Sequence, residues 1–122
     1  MPPIILLVED DSTLREVVAD ALSMLDARVI ACPNADLALL ELERCAAVNL
    51  VLTDIRMPGY LDGIQLAHLI AERWPQLPII VMSGNRLPSD VLPEHAVFMA
   101  KPWTLDVLFA HVEPLLQLRF HS

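Results

Sequence analysis

Lysine is almost missing from this chain: Lys101 is the only one in 122 residues. With 8 Lys and Arg against 16 Asp and Glu, the formal net charge is −8. Direct nucleic-acid binding is therefore not expected, because it depends on basic patches that release counterions. Cysteine is scarce as well. Cys32 and Cys45 lie in apolar contexts with no metal-ligand spacing around them, so both read as buried free thiols in a reducing compartment. The histidines His68, His95, His111 and His121 are scattered, which argues against zinc. Long apolar runs are lacking too. The longest uncharged stretch, Leu77 to Ser89 but for Arg86, is broken by Pro78, Pro88 and Ser83-Gly84-Asn85. A membrane-spanning helix needs roughly 20 apolar residues, so no membrane segment is expected. The first apolar run follows Met1 at once, leaving no room for a signal sequence, and a cytoplasmic location is expected. Repeats, low-complexity tracts and linkers are also absent, so residues 1–122 read as one domain.

What the chain does have is apolar content: 55% of residues, with a mean hydropathy of +0.50. That excludes disorder, and a domain of this size buries about two thirds of its unfolded surface in one core. The apolar pattern alternates between short continuous runs and helical periods, as in βαβ units. Strands are expected at Ile4–Val8, Arg28–Cys32, Asn49–Thr53, Ile79–Met82 and Ala96–Ala100. Ser12 is set to cap a helix whose apolar stripe is Leu14, Val17, Val18, Ala21, Leu22 and Leu25. Asn34 caps a second helix through about Arg44, and Met57 to Leu61 is a loop around Pro58-Gly59. Asp62 caps a third helix carrying Ile64, Ala67, Ile70, Ala71 and Trp74, stopped by Pro75. Between Gly84 and His95, Pro88 and Pro93 bracket only Ser89 to Leu92, so any helix there is short or irregular. The last helix begins at Thr104 with Leu105, Leu108, Phe109, Val112, Leu115 and Leu116 on one face; Pro114 predicts a kink or break.

Continuously apolar strands suit a parallel sheet covered on both faces, and right-handed crossovers put helices on both sides. The expected fold is α/β, a doubly wound five-stranded parallel sheet. In such a sheet ligands bind beyond the carboxyl ends of the strands. Those ends carry Glu9-Asp10-Asp11, Asp54, Ser83-Gly84 and Lys101-Pro102.

At an effective dielectric near 20, each pair of carboxylates about 4 Å apart repels by roughly 4 kcal/mol. A cluster of Glu9, Asp10 and Asp54 therefore raises a pKa or recruits a cation. Mg²⁺ fits, since it takes oxygen ligands and commonly bridges to phosphate. Lys101 can pair with a phosphoryl oxygen, Ser83 offers a hydroxyl, and the backbone at Gly84 can come close to a ligand. Carboxylates form aspartyl phosphates, and phosphoryl transfer asks mainly for positioning and charge neutralisation. The residues point to a Mg²⁺-assisted phosphoryl acceptor and leave the donor open.

The order and spacing of Val8-Glu9-Asp10-Asp11-Ser12, Asp54-Ile55-Arg56-Met57-Pro58-Gly59, Asp62-Gly63, Met82-Ser83-Gly84 and Lys101-Pro102 resemble the receiver domain of bacterial two-component response regulators. The resemblance spans nearly the whole chain. It implies the (βα)5 flavodoxin-like fold and phosphoryl transfer to Asp54 from a histidine kinase or histidine phosphotransfer protein. It implies Mg²⁺ held by Glu9, Asp10, Asp54 and the backbone carbonyl of Arg56, with Ser83 and Lys101 on the phosphoryl group. Phe98 takes the family's switch-aromatic position. Apart from the resemblance, Arg56 and Asn85 are expected to flank the phosphoryl group and tune hydrolysis.

Several features depart from the family pattern. Glu9 stands where many relatives have Asp, and Ser83 where Thr is more frequent. Asp11 is an additional acid, open to the metal shell or to a solvent-facing position before the helix. The loop before Asp62-Gly63 carries an extra residue, and the segment from Ser83 to Lys101 is short, which alters the common signalling face. Phe98 lacks a tyrosine hydroxyl, so it switches by packing or is simply a core residue. Trp74 and Trp103 read as packing residues. The expected protein is a signalling switch, stand-alone or cut from a hybrid kinase, monomeric or weakly dimeric, with an unknown output partner. Two alternatives remain: an interaction scaffold, and an aspartyl-nucleophile phosphatase, which typically carries an acid where this chain has Arg56.

Overall fold

The computed structural model describes residues 2–45, 47–55, 62–84, 87 and 90–121, with side chains through 116. Five strands form one parallel sheet: β1 (Ile4–Val8), β2 (Arg28–Cys32), β3 (Val48–Asp54), β4 (Ile79–Ser83) and β5 (Val97–Ala100). Their order is β2-β1-β3-β4-β5, so the chain reverses direction across the sheet between β1 and β3. Four helices are described: α1 (Ser12–Ser23), α2 (Ala35–Arg44), α3 (Gly63–Arg73) and α4 (Leu105–His121). The expected doubly wound α/β fold is the observed one.

Strand alternation sorts the apolar residues onto two faces. Leu6 and Val8 of β1 join Val51, Ile79 and Val81 under α2 and α3, through Ala38, Leu42, Leu66, Ala67 and Ile70. Ile5 and Leu7 join Leu50, Leu52, Ile80, Met82 and Met99 under α1 and α4, through Val18, Leu22, Leu108 and Val112. A slip of one residue would exchange these faces, so burial on both sides fixes the register. One irregularity lies at the start of β1, where Ile4 pairs with Val48 but Ile5 with Leu50. The skipped Asn49 accepts the Ile4 N–H through Oδ1 at 2.8 Å, which satisfies the donor that the bulge displaces.

The helix starts follow their capping chemistry. Asn34 Oδ1 accepts the Leu37 N–H at 2.8 Å. Asp62 and Gln65 form a reciprocal capping box on α3. Thr104 Oγ1 accepts from Val107 N at 3.3 Å at the head of α4. At α1 the cap is Asp11 and not Ser12: Asp11 Oδ1 accepts the Leu14 N–H at 3.0 Å, and Ser12 is the first helical residue.

Several expected details differ. Val17 and Leu105 are 56% and 46% exposed. The stripe of α1 that meets the sheet is the narrower set Val18, Ala21 and Leu22, and Leu105 is the first residue of α4, at the helix end. On α3, Leu66 is fully buried and Ile64 and Ala71 only partly so. Helix α4 runs without a break through Pro114. Pro114 and Ala110 both face solvent, so water can satisfy the Ala110 carbonyl that loses its donor, while Leu108, Val112 and Leu116 hold the opposite face. Cys45 is only partly buried, unlike Cys32.

Between β4 and β5 the described residues form turns and bends, with no helix among them. Leu92 and Ala96 pack on the α2/α3 core there. His68 of α3 donates through Nε2 to the Val91 carbonyl at 2.6 Å, tying this connection to the helix. No described helix is long and apolar enough to cross a membrane.

Candidate functional site

The sheet register builds the site. Val8 pairs with Thr53, so the next residues, Glu9 and Asp54, leave β1 and β3 side by side. Asp54 pairs with Met82 and Ser83 with Ala100, so Ser83 and Lys101 end the neighbouring strands just beyond. The Lys101 N–H donates to the Ser83 carbonyl at 2.8 Å, and the Lys101–Pro102 peptide bond is cis. These residues line a cleft of about 420 Å³ with Asp10, Asp11, Leu14 and Gly84.

Glu9, Asp10 and Asp54 each offer a carboxylate oxygen, all within 4.8 Å of one another. Glu9 is 1% exposed and Asp54 9%. The Ile55 N–H donates to Asp54 Oδ1 at 2.6 Å, and the Lys101 ammonium donates to Asp54 Oδ2. Lys101 Nζ also lies 3.6 Å from Glu9 Oε1. The Asp11 N–H donates to Glu9 Oε2 at 3.2 Å, but the buried Oε1 accepts no hydrogen bond among the described residues.

Burial pushes the Glu9 carboxyl up to about 7; the Asp11 amide and Lys101 pull it down, and Asp54 pushes it further up. For Lys101, burial by itself lowers the pKa, but the hydrogen bond and charge of Asp54, with Glu9 behind it, leave it raised. The ammonium is therefore held charged against the acids. Carboxylates held this close, with one buried oxygen lacking a hydrogen-bond donor, suit a hard oxygen-seeking cation. The residues present fit Mg²⁺.

Of the expected site residues, Glu9, Asp10, Asp54, Ser83 and Lys101 share one cleft. Asp11 lies at its rim with its carboxylate engaged as the α1 cap. Phe98 is partly buried on β5 beside Val81, and it belongs to neither apolar cluster of the described residues. Arg56, the loop from Met57 to Leu61, and Asn85 lie outside the described residues. Trp74 and Trp103 pack on the two core faces as expected. At Gly84 a Cβ would meet nothing within 4 Å, so the described fold does not itself require glycine there.

Two contributors were not read as such from the sequence. A Cβ at Gly63 would lie 2.0 Å from the Asp54 carbonyl oxygen. Gly63 N donates to Ile55 O at 2.8 Å, so α3 starts against the backbone of Asp54. The Asp62-Gly63 pair was the available signal. Arg15 donates through a guanidinium N–H to the Glu9 carbonyl at 2.9 Å. The signal there was directional: long helical side chains lean back toward the N-terminus.

The response regulator receiver domain model matches residues 5–113. The response regulator protein FleR of Pseudomonas aeruginosa is 44% identical over 115 residues, covering 88% of this chain and 24% of that protein. The DNA-binding transcriptional regulator NtrC of Escherichia coli K12 is 31% identical over 116 residues, covering 90% of this chain and 24% of its own length. This chain thus spans about a quarter of these two relatives. Among solved structures, a response regulator receiver protein from Sinorhizobium medicae superposes with a TM-score of 0.86 at 30% identity, covering 97% of both chains.

Proposed function

Given that this chain belongs to the response regulator receiver domain family of two-component signalling, we propose that it is a switch thrown by Mg²⁺-dependent phosphorylation of Asp54. The observation that carries the reading is the three carboxylates within 4.8 Å under an ammonium paired to two of them. Glu9, Asp10 and Asp54 would hold the ion, and the resemblance to the family would make the Arg56 backbone carbonyl a further ligand. When bound, Mg²⁺ neutralises the charge that would otherwise keep a phosphoryl donor away from the acids.

The Asp54 carboxylate attacks phosphorus, a P–O bond forms, and the bond from phosphorus to the donor's histidine nitrogen breaks. The imidazole leaves with the electron pair and takes a proton. Lys101, already bound to the acceptor carboxylate, contacts a phosphoryl oxygen in the product, and the Ser83 hydroxyl meets another. Water later cleaves the acyl phosphate and returns the carboxylate. Arg56 and Asn85 flank that step and tune its rate. The chain thus assists its own phosphorylation and dephosphorylation without turning over a substrate pool. The donor is a histidine kinase or histidine phosphotransfer protein, and the output is read by a partner or by an attached domain. Movement of Ser83 toward the phosphoryl group shifts the β4–β5 connection and the packing around Phe98.

Intact mass after incubation with acetyl phosphate, with and without Mg²⁺, tests the reading in the wild type and in Asp54→Asn. One Mg²⁺-dependent phosphoryl adduct, absent from the variant, is expected. No adduct on the folded wild type would sink the switch and favour a scaffold; sustained phosphate release would favour a phosphatase.

A further inference from the structure

The acidic turn carries a contact that its carboxylates do not explain. Arg15, partly buried in the first turn of α1, sends its guanidinium back past the helix start. One N–H donates to the Glu9 carbonyl at 2.9 Å, and the same nitrogen lies 3.5 Å from the Asp10 carbonyl. Both carbonyls belong to residues whose side chains form the acid cluster. The Arg15 backbone is itself anchored, its N–H donating to Asp11 O at 2.8 Å. Arginine thus closes a loop from α1 onto the turn that feeds it, through charge-assisted bonds.

The turn needs such a tie. Mutual repulsion of Glu9, Asp10 and Asp54 works to spread the carboxylates, and the exposed Asp10 has solvent to move into. Glu9 N is held from the other side by Cys32 O at 3.0 Å, but that bond does not hold the Glu9 and Asp10 carbonyls. We propose that Arg15 is a positioning residue of the cation site, tying the backbone of Glu9 and Asp10 so that both carboxylates face one divalent ion. The inference rests on the receiver reading and deepens it.

Charge and geometry predict opposite signs, which makes the test decisive. If Arg15 contributed only a positive field, its removal would strengthen Mg²⁺ binding. If it positions the turn, its removal weakens binding despite the lost positive charge. Calorimetric titration of Mg²⁺ into Arg15→Gln is expected to show affinity lowered by about 10-fold, the lower end for loss of a group that orients metal ligands. Arg15→Lys keeps the charge without the planar fork and gives a smaller loss in the same direction; it also carries the comparison if the glutamine variant fails to fold. In metal-free protein, exchange of the Asp11 amide, bonded to Glu9 Oε2, speeds up in both variants while amides within β3 keep their protection. Affinity unchanged or raised in both variants, or Asp11 exchange unchanged, overturns the inference. A wild type that binds Mg²⁺ but takes no phosphoryl group would overturn the acceptor reading and leave the Arg15 result standing. A wild type that binds no Mg²⁺ would overturn both.

Discussion

The two ends of the sheet handle charge in opposite ways. Beyond the carboxyl ends of the strands, Glu9 and Asp54 are buried beside exposed Asp10 with one lysine among them. At the other end, Leu42, Cys45, Val48, Arg73 and Trp74 help line a smaller cavity of about 240 Å³. There Arg73 meets Glu43 at 3.0 Å and lies 4.6 Å from the centre of the Trp74 ring. That charge is exposed, paired and stacked over carbon. One end keeps repulsion that a ligand can relieve; the other closes α2 against α3. Like charge is buried at the end that carries the candidate site, and satisfied pairs gather where only cohesion is needed.

The contrast can be broken at its most rigid point. Gly63→Ala puts a methyl where the Asp54 carbonyl already sits, and urea unfolding is expected to register a loss of about 3 kcal/mol or more. Next comes pH. The Glu9 carboxyl moves from 4.5 to about 7 on folding, so its contribution to stability is full below about 4.5 and lost as pH rises through 7. Metal-free protein should lose up to about 3 kcal/mol of stability over that window. Glu9→Gln should flatten the slope, and Mg²⁺ should restore the wild type's melting temperature at pH 8. A wild-type slope that survives in Glu9→Gln would assign the titration elsewhere.

Lys101→Met sharpens the same point from the cationic side. Removing the ammonium beside Asp54 and Glu9 is expected to raise Mg²⁺ affinity several-fold while lowering metal-free stability at neutral pH, as read by titration and melting. At the quiet end, Arg73→Ala should cost about 1 kcal/mol or less and leave the acetyl phosphate adduct intact. Gly84→Ala, where a Cβ meets open space, should barely move the urea midpoint. It is the control that shows Gly63, and not glycine in general, to be demanded by the fold.

Much of this was legible because local chemistry and tertiary packing agree. β1 and β2 have the boundaries their apolar runs predicted, and Asn34 and Asp62 cap the helices they precede. Agreement failed where two local candidates competed or where an element met the edge of the core. Asp11 and Ser12 both carry capping oxygens, and the backbone path of the acidic turn chose Asp11. Val17 and Leu105 belong to apolar stripes wider than the strip of sheet they cover. Pro114 is helix-breaking by propensity, yet it lies on the exposed side of α4, which continues while Leu108, Val112 and Leu116 pack on the opposite side. Sequence spacing also said nothing of Arg15 reaching back to Glu9, since that contact depends on how a helix aims its side chains.

By itself, the sequence determined the alternation of strand and helix and the polar residues that end each strand. Those follow from hydrophobic period and capping chemistry, which act over a few residues. Only the tertiary structure decided that Glu9 and Asp54 stand side by side, that one lysine answers both, and that Gly63 must lack a side chain. These depend on parallel register between strands 45 residues apart in the chain, and burial on both faces of the sheet sets that register.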